Sequence, residues 1–182
     1  GEFESLAVGA DDTTSVDVTV QDTAGNNASA TYTVTVDGAN DAPSGTDSSQ
    51  NVRINRTVEI DEADFGFTDP DTGDTLATVE LVTVPTVGTL FVDAGAPNGT
   101  LDPGEARSNG DIIGQATIAA GNLLYETPTT AGTVETLDFL VNDGTDPAAA
   151  PNTLTLTAVT PPSGGGGGGG GTPGGGSTVD GT

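Results

Sequence analysis

Apolar and polar residues alternate in short runs along most of this chain, and the alternation has period two rather than 3.6. Ser15–Val20 and Thr31–Val36 place valine or tyrosine at every second position, with Thr, Ser or Asp between. A strand turns successive side chains to opposite faces, so each run predicts a β-strand with one apolar face. Asp22–Asn27 between them is made of turn-forming residues, and the pair predicts a β-hairpin. Two strands alone are marginal in water, so residues 1–40 read as the C-terminal part of a preceding repeat.

Residues 41–160 carry about seven further runs, roughly 52–60, 75–83, 89–92, 112–118, 123–126, 135–142 and 152–159. The alternation is cleanest at Val52, Ile54, Val58, Ile60, at Leu137, Phe139, Val141, and at Leu154, Leu156, Ala158. Short strands separated by Gly, Pro, Asp and Asn predict one all-β domain, a seven-stranded β-sandwich. Asp61–Phe67 has room for a single helical turn. Residues 161–182 contain eight consecutive glycines, whose ordering entropy no packed structure recovers, and read as a flexible, disordered linker. Gly1-Glu2-Phe3 reads as a cloning remnant, and the chain as an excerpt of a longer protein.

Charge sharpens the picture. Against 27 Asp and Glu stand three cations, Arg53, Arg56 and Arg107, for a net charge of -24. Such a surface repels phosphate, so neither nucleic acid nor an anionic membrane is an expected partner. No apolar run approaches the ~18 residues needed to span a bilayer. With 33% apolar residues and 28 glycines the chain approaches disordered composition. The ordered alternation argues instead for a fold that recruits counter-cations. The absence of Cys and His removes disulfides, thiolate or imidazole metal sites and a Ser-His-Asp triad. Oxygen-ligated hard ions remain, calcium above all.

The densest candidate chemistry lies at 59–74, where seven carboxylates fall within sixteen residues and no cation is among them. Asp69, Asp71 and Asp74 with Gly73 offer alternating oxygen ligands on a tight turn, as calcium's six to eight oxygens require. Acidic turns are also common for purely conformational reasons. Asp37, Asn40 and Asp41 stand on the short connector that ends at Pro43. A connector with its own ligands can share an ion with the acidic loop of the following domain and turn a hinge into a strut.

These stretches together resemble the VCBS and cadherin-like repeats of large bacterial RTX-type surface adhesins. Thr35–Pro43 (TVDGANDAP) is similar to their repeat boundary and Asp64–Leu76 (DFGFTDPDTGDTL) to the early part of a repeat. Val84–Leu90, Gly121–Pro128 and Leu137–Gly144 follow in the family's order, so that the likeness covers about 35–160. The resemblance implies a cadherin-like sandwich with Ca2+ at domain junctions, a secreted or cell-surface location, and neighbouring repeats as partners. It implies Asp37, Asn40 and Asp41 as connector ligands, Asp69 and Asp71 as the Asp-x-Asp pair, Asp61 or Glu62 as an acidic ligand, and Asp143 at a late turn.

One stretch departs from that pattern. Where the family has a short turn, this chain has Asp93–Glu105 (DAGAPNGTLDPGE). Asn98, Gly99, Leu101 and Glu105 fit positions five, six, eight and twelve of an EF-hand-type loop, while Asp93 sits one residue too early and position three is Ala96. A second calcium site, with Asp93, Asn98, Asp102 and Glu105 as ligands, and a plain acidic loop both fit.

The functional expectation is a structural calcium-binding repeat that stiffens an extended stalk for adhesion or biofilm formation, and not an enzyme. The alternatives are a glycan- or protein-binding module and a fibre subunit pairing with other copies through open sheet edges. Contact surfaces of the former kind use Trp and Tyr. Trp is absent, and Tyr32 and Tyr125 occupy strand positions expected to face a core.

Overall fold

The computed structural model describes residues 5–95 and 97–161. Gly1-Glu2-Phe3 and the Gly-rich stretch from 162 onward lie outside them. Strands dominate, and the fold is all-β. No helix among the described residues is long and apolar enough to cross a membrane.

Strands β1 (Asp11–Gln21) and β2 (Asn27–Asp37) form an antiparallel hairpin, in register from Asp11↔Asp37 to Gln21↔Asn27. Asp22 fixes its turn, Oδ1 accepting the N–H of Ala24 and of Asn26, each at 2.8 Å. Residues directly opposite share a face, so this register gathers the apolar residues of the ribbon on one side, with Asp12 and Thr14 at its end. Val16, Val18, Val20, Ala28, Ala30, Tyr32, Val34 and Val36 project to one side; Thr, Ser, Asp, Asn and Gln alone project to the other. The apolar side stays open, with Val18 50% and Tyr32 70% exposed. Tyr32, expected to face a core, therefore does not: among the described residues no second layer covers the ribbon.

The seven runs of the remaining chain give eight strands: β3 (Ser48–Arg53), β4 (Thr57–Glu59), β5 (Thr78–Thr83), β6 (Thr89–Val92), β7 (Ile112–Gly114), β8 (Leu123–Glu126), β9 (Val134–Asn142) and β10 (Asn152–Val159). They form a five-stranded sheet, in order β3-β10-β9-β5-β7, and a three-stranded sheet, β4-β8-β6. The first run divides between the two sheets at a corner where Asn55 takes a left-handed φ of 53°. Strands that change sheet at such a bend close the ends of a sandwich. The run 112–118 is strand only to Gly114, and Gln115–Ala119 continues as a short helix, α1. A 3-10 turn at Glu62–Phe65 occupies the segment given room for one helical turn.

Both sheets contribute to one core. Val79, Leu81, Leu137, Phe139, Val141, Leu154 and Leu156 enter from the larger sheet, Leu90, Leu123 and Tyr125 from the smaller. The 3-10 turn adds Phe65, which meets the Phe139 ring edge to face at 4.9 Å and 83°. Tyr125 is fully buried, and its hydroxyl donates to the Val87 carbonyl at 2.6 Å. Glycine follows Val87 for a steric reason: Gly88 has φ +83°, and a Cβ there would run into the Glu126 carbonyl oxygen and the Tyr125 hydroxyl.

The asymmetry between packed sandwich and open ribbon is measurable. Phe139→Ala removes a fully buried ring and should cost about 3–5 kcal/mol in urea unfolding followed by Tyr125 fluorescence. Val18→Thr on the open ribbon should stay within about 0.5 kcal/mol.

Candidate metal centre

Three separate segments meet here, two bringing acidic side chains and the third, the connector from the hairpin, bringing amides. The first is the turn at 69–74. Asp69 Oδ1 accepts the Asp71 N–H at 2.8 Å, an Asx turn that folds the loop back on itself. Gly73 supplies the left-handed φ of +100° needed to bring Asp74 round. The second is the loop leaving β9, where Asp143 Oδ1 accepts the N–H of Thr145 at 2.6 Å and of Asp146 at 2.8 Å. The Ala77 amide donates to the Asn142 carbonyl at 2.8 Å and ties the two loops together.

Carboxylate oxygens of Asp69, Asp74 and Asp143 consequently all lie within 4.8 Å of one another. The third segment is the connector. Asn40 Nδ2 donates to Asp143 Oδ2 and to Asp146 Oδ2, each at 3.1 Å. The Asp41 N–H donates to Asp71 Oδ2 at 2.8 Å. Every donor reaching these carboxylates is a neutral amide.

Amides do not satisfy the site. Asp71 is only 3% exposed, and its Oδ1 is buried with no hydrogen-bond partner. Asp69 Oδ2 is buried and unpartnered as well. An ionised carboxylate oxygen withdrawn from water without a partner is costly, and such groups normally pair with a cation or a metal. Burial, followed by repulsion from Asp69, Asp71 and Asp143, holds the Asp74 carboxyl above its ordinary range. Burial also raises Asp143, but the N–H groups of Thr145 and Asp146 and the Asn40 amide outweigh it and hold this carboxyl low. The donor set is oxygen throughout, several carboxylates and an amide, which fits calcium.

Of the residues singled out in the sequence, Asn40, Asp41, Asp69, Asp71, Asp74 and Asp143 converge here, Asp41 through its backbone. Asp37 ends β2 opposite Asp11 and is exposed. Asp61 and Glu62 are engaged elsewhere. Asp61 caps the 3-10 turn, accepting from Ala63 and Asp64 while the Asp64 carboxylate accepts its own N–H. Glu62 accepts from Gln115 Nε2 at 3.0 Å. Asp93, Asn98, Asp102 and Glu105 form their own loop beyond β6. Asp146 went unnoticed in the sequence because Asn-Asp-Gly-Thr-Asp reads as ordinary turn chemistry until Asn40 is placed beside it.

No protein-family model matches the chain, and no curated protein matches it at a significant level.

The raised Asp74 carboxyl fixes a sign. In chelator the folded state binds a proton near Asp74 more tightly than the unfolded chain, whose Asp titrates at an ordinary 3.8. Stability should therefore rise as pH falls from neutrality through the folded pKa of Asp74, with half-buried Asp64, raised chiefly by burial, acting in the same direction. Asp143, Asp22 and Asp47 are held low, so their contribution is lost only on further acidification. In saturating calcium protons compete with the ion, and the first trend should reverse. Urea midpoints measured across this range with and without calcium check both signs.

Proposed function

We propose that this chain is a structural calcium-binding repeat of a large secreted or cell-surface bacterial adhesin, in which calcium stiffens the joint between successive modules of an extended stalk. The observation that carries the reading is the buried Asp71 carboxylate. One of its oxygens holds the amide of connector residue Asp41, and the other has no partner. A divalent cation bound to the free oxygens of Asp71 and Asp69, with Asp74 and Asp143 completing the charge, would neutralise the cluster and fasten the connector to the sandwich. The likeness of 35–160 to cadherin-like repeats supports the same reading. No catalytic role is assigned to these carboxylates.

Magnitudes suit a structural ion. Extracellular calcium modules bind at roughly 10⁻⁴–10⁻³ M, so 1 mM calcium contributes roughly 0.4–1.4 kcal/mol per site. Against a domain stability of roughly 5–15 kcal/mol, an increment of this size is a useful addition.

Thermal unfolding by circular dichroism should shift upward by about 2–6 °C per occupied site between excess chelator and millimolar calcium, with little response to magnesium. Asp71→Asn should remove the junction's part of the shift without lowering the melting point in chelator. Backbone ¹⁵N relaxation at Asn40 and Asp41 should report slower, smaller motion once calcium is added. A flat melting point, or a connector whose relaxation ignores calcium, would sink the proposal.

The open apolar side of the hairpin favours a second reading, in which two copies pair through their ribbons. Sedimentation velocity would then show a concentration-dependent dimer that Val16→Lys disperses. A single monomeric boundary at all concentrations would dismiss it.

A further inference from the structure

We propose that the loop from Asp93 to Glu105 is a second divalent-cation site, chemically suited to calcium and independent of the junction. The loop leaves the sandwich after β6 and returns to the same strand. The Val92 N–H donates to the Glu105 carbonyl at 3.0 Å, and the Asp93 N–H donates to the Asn122 carbonyl at 2.9 Å. Both ends are thus pinned to the three-stranded sheet, and what lies between must organise itself.

It does so around two buried carboxylates. Asp93 is 2% exposed and Glu105 8%. Asp93 Oδ2 accepts the N–H of Gly99 at 2.6 Å and of Asn98 at 2.9 Å, which places the carboxylate beneath the loop's own turn. The register misfit noted in the sequence is absorbed there: although Asp93 precedes the EF-hand-type first position by one residue, its side chain still reaches the glycine at position six. Glu105 Oε1 accepts from the Ala94 N–H and Oε2 from the Asp102 N–H, each at 2.9 Å. Asn98 Nδ2 donates to Asp102 Oδ2 at 3.1 Å.

A loop that merely uses acidic side chains to hold its amides explains all of these bonds except one atom. Asp93 Oδ1 is buried and has no hydrogen-bond partner. It shares a carbon with the oxygen that grips Asn98 and Gly99, and among the described residues nothing compensates its desolvation. A buried anionic oxygen calls for a proton donor or a cation, and the loop itself contains no Lys, Arg or His. Asp93, Asp102 and Glu105 bring three negative charges and Asn98 a neutral amide oxygen, all hard donors. A divalent ion with flexible coordination fits such a set better than magnesium, which demands near-ideal octahedral geometry and sheds its waters reluctantly.

The test uses the full chain and calcium chloride alone, with Asp71→Asn as background so that the junction is disabled. In that variant a calcium titration followed by ¹H–¹⁵N spectra should still move the Ala94 and Gly99 amides in a saturable way. Calorimetry should find one ion equivalent fewer in Asp93→Asn than in the parent. Asp93→Asn should also melt at the same or a higher temperature than the parent in chelator, since it removes an uncompensated charge, and lower than the parent in calcium. Amides that stay still in Asp71→Asn, or an equal loss of melting temperature in chelator and calcium, would overturn the site and reduce these carboxylates to loop-holding groups. Neither result bears on the junction, which Asp71→Asn tests by itself.

Discussion

The organising constraint of this molecule is that carboxylates must be buried with almost nothing of opposite charge to bury them against. Twenty-seven acidic side chains share three arginines. The chain meets the problem chiefly with backbone amides: Asp71 takes the amide of Asp41, Asp93 those of Asn98 and Gly99, Asp143 those of Thr145 and Asp146. Each such bond shapes a loop while it disperses charge. Amides deliver partial charge only, so an oxygen is left over at Asp69, Asp71 and Asp93. Those leftover oxygens are where a cation would complete the fold, and they sit on segments that join elements, not inside strands.

The fold was legible because the alternation is strong and the strands are short. Leu137, Phe139 and Val141 are buried while Asp138 and Leu140 between them are only partly so, as period two requires, and Leu154, Leu156 and Ala158 alternate in the same way with Thr155 and Thr157. What stayed hidden depended on long-range partners. The division of 52–60 rests on Asn55 and on the acceptance of its amide by the Pro128 carbonyl, a contact that no local pattern announces. The helix at Gln115–Ala119 hides in a run whose Ile112, Ile113 and Ile118 suit either period. Tyr32 alternates as correctly as Tyr125 does; alternation says which face is apolar, not whether anything covers it.

The candidate site divides along the same line. Asp69, Asp71 and Asp74 were readable because calcium loops and tight turns are both written in local sequence. Their meeting with Asp143 and Asn40, roughly seventy and thirty residues away along the chain, is a product of sheet order. β9 lies beside β5, so the loop after β9 falls against the loop before β5. Asp61 shows the converse. The resemblance made it a ligand candidate, and its Oδ1 instead holds two amides of a 3-10 turn.

The parallel pairing of β3 with β10 has a mechanical meaning. These strands carry the entry and exit of the sandwich, and six consecutive positions pair from Ser48↔Leu154 to Arg53↔Val159. Asp47 adds a clasp at the start, accepting from Asn152 Nδ2 and the Thr153 N–H. Because the strands run in the same direction, the chain enters at one end of this seam and leaves at the other. Tension between the two ends is directed along the seam, so its rungs must slip together rather than open one after another. Such an arrangement resists pulling through the simultaneous rupture of many weak bonds, a property of strand direction that no individual residue supplies.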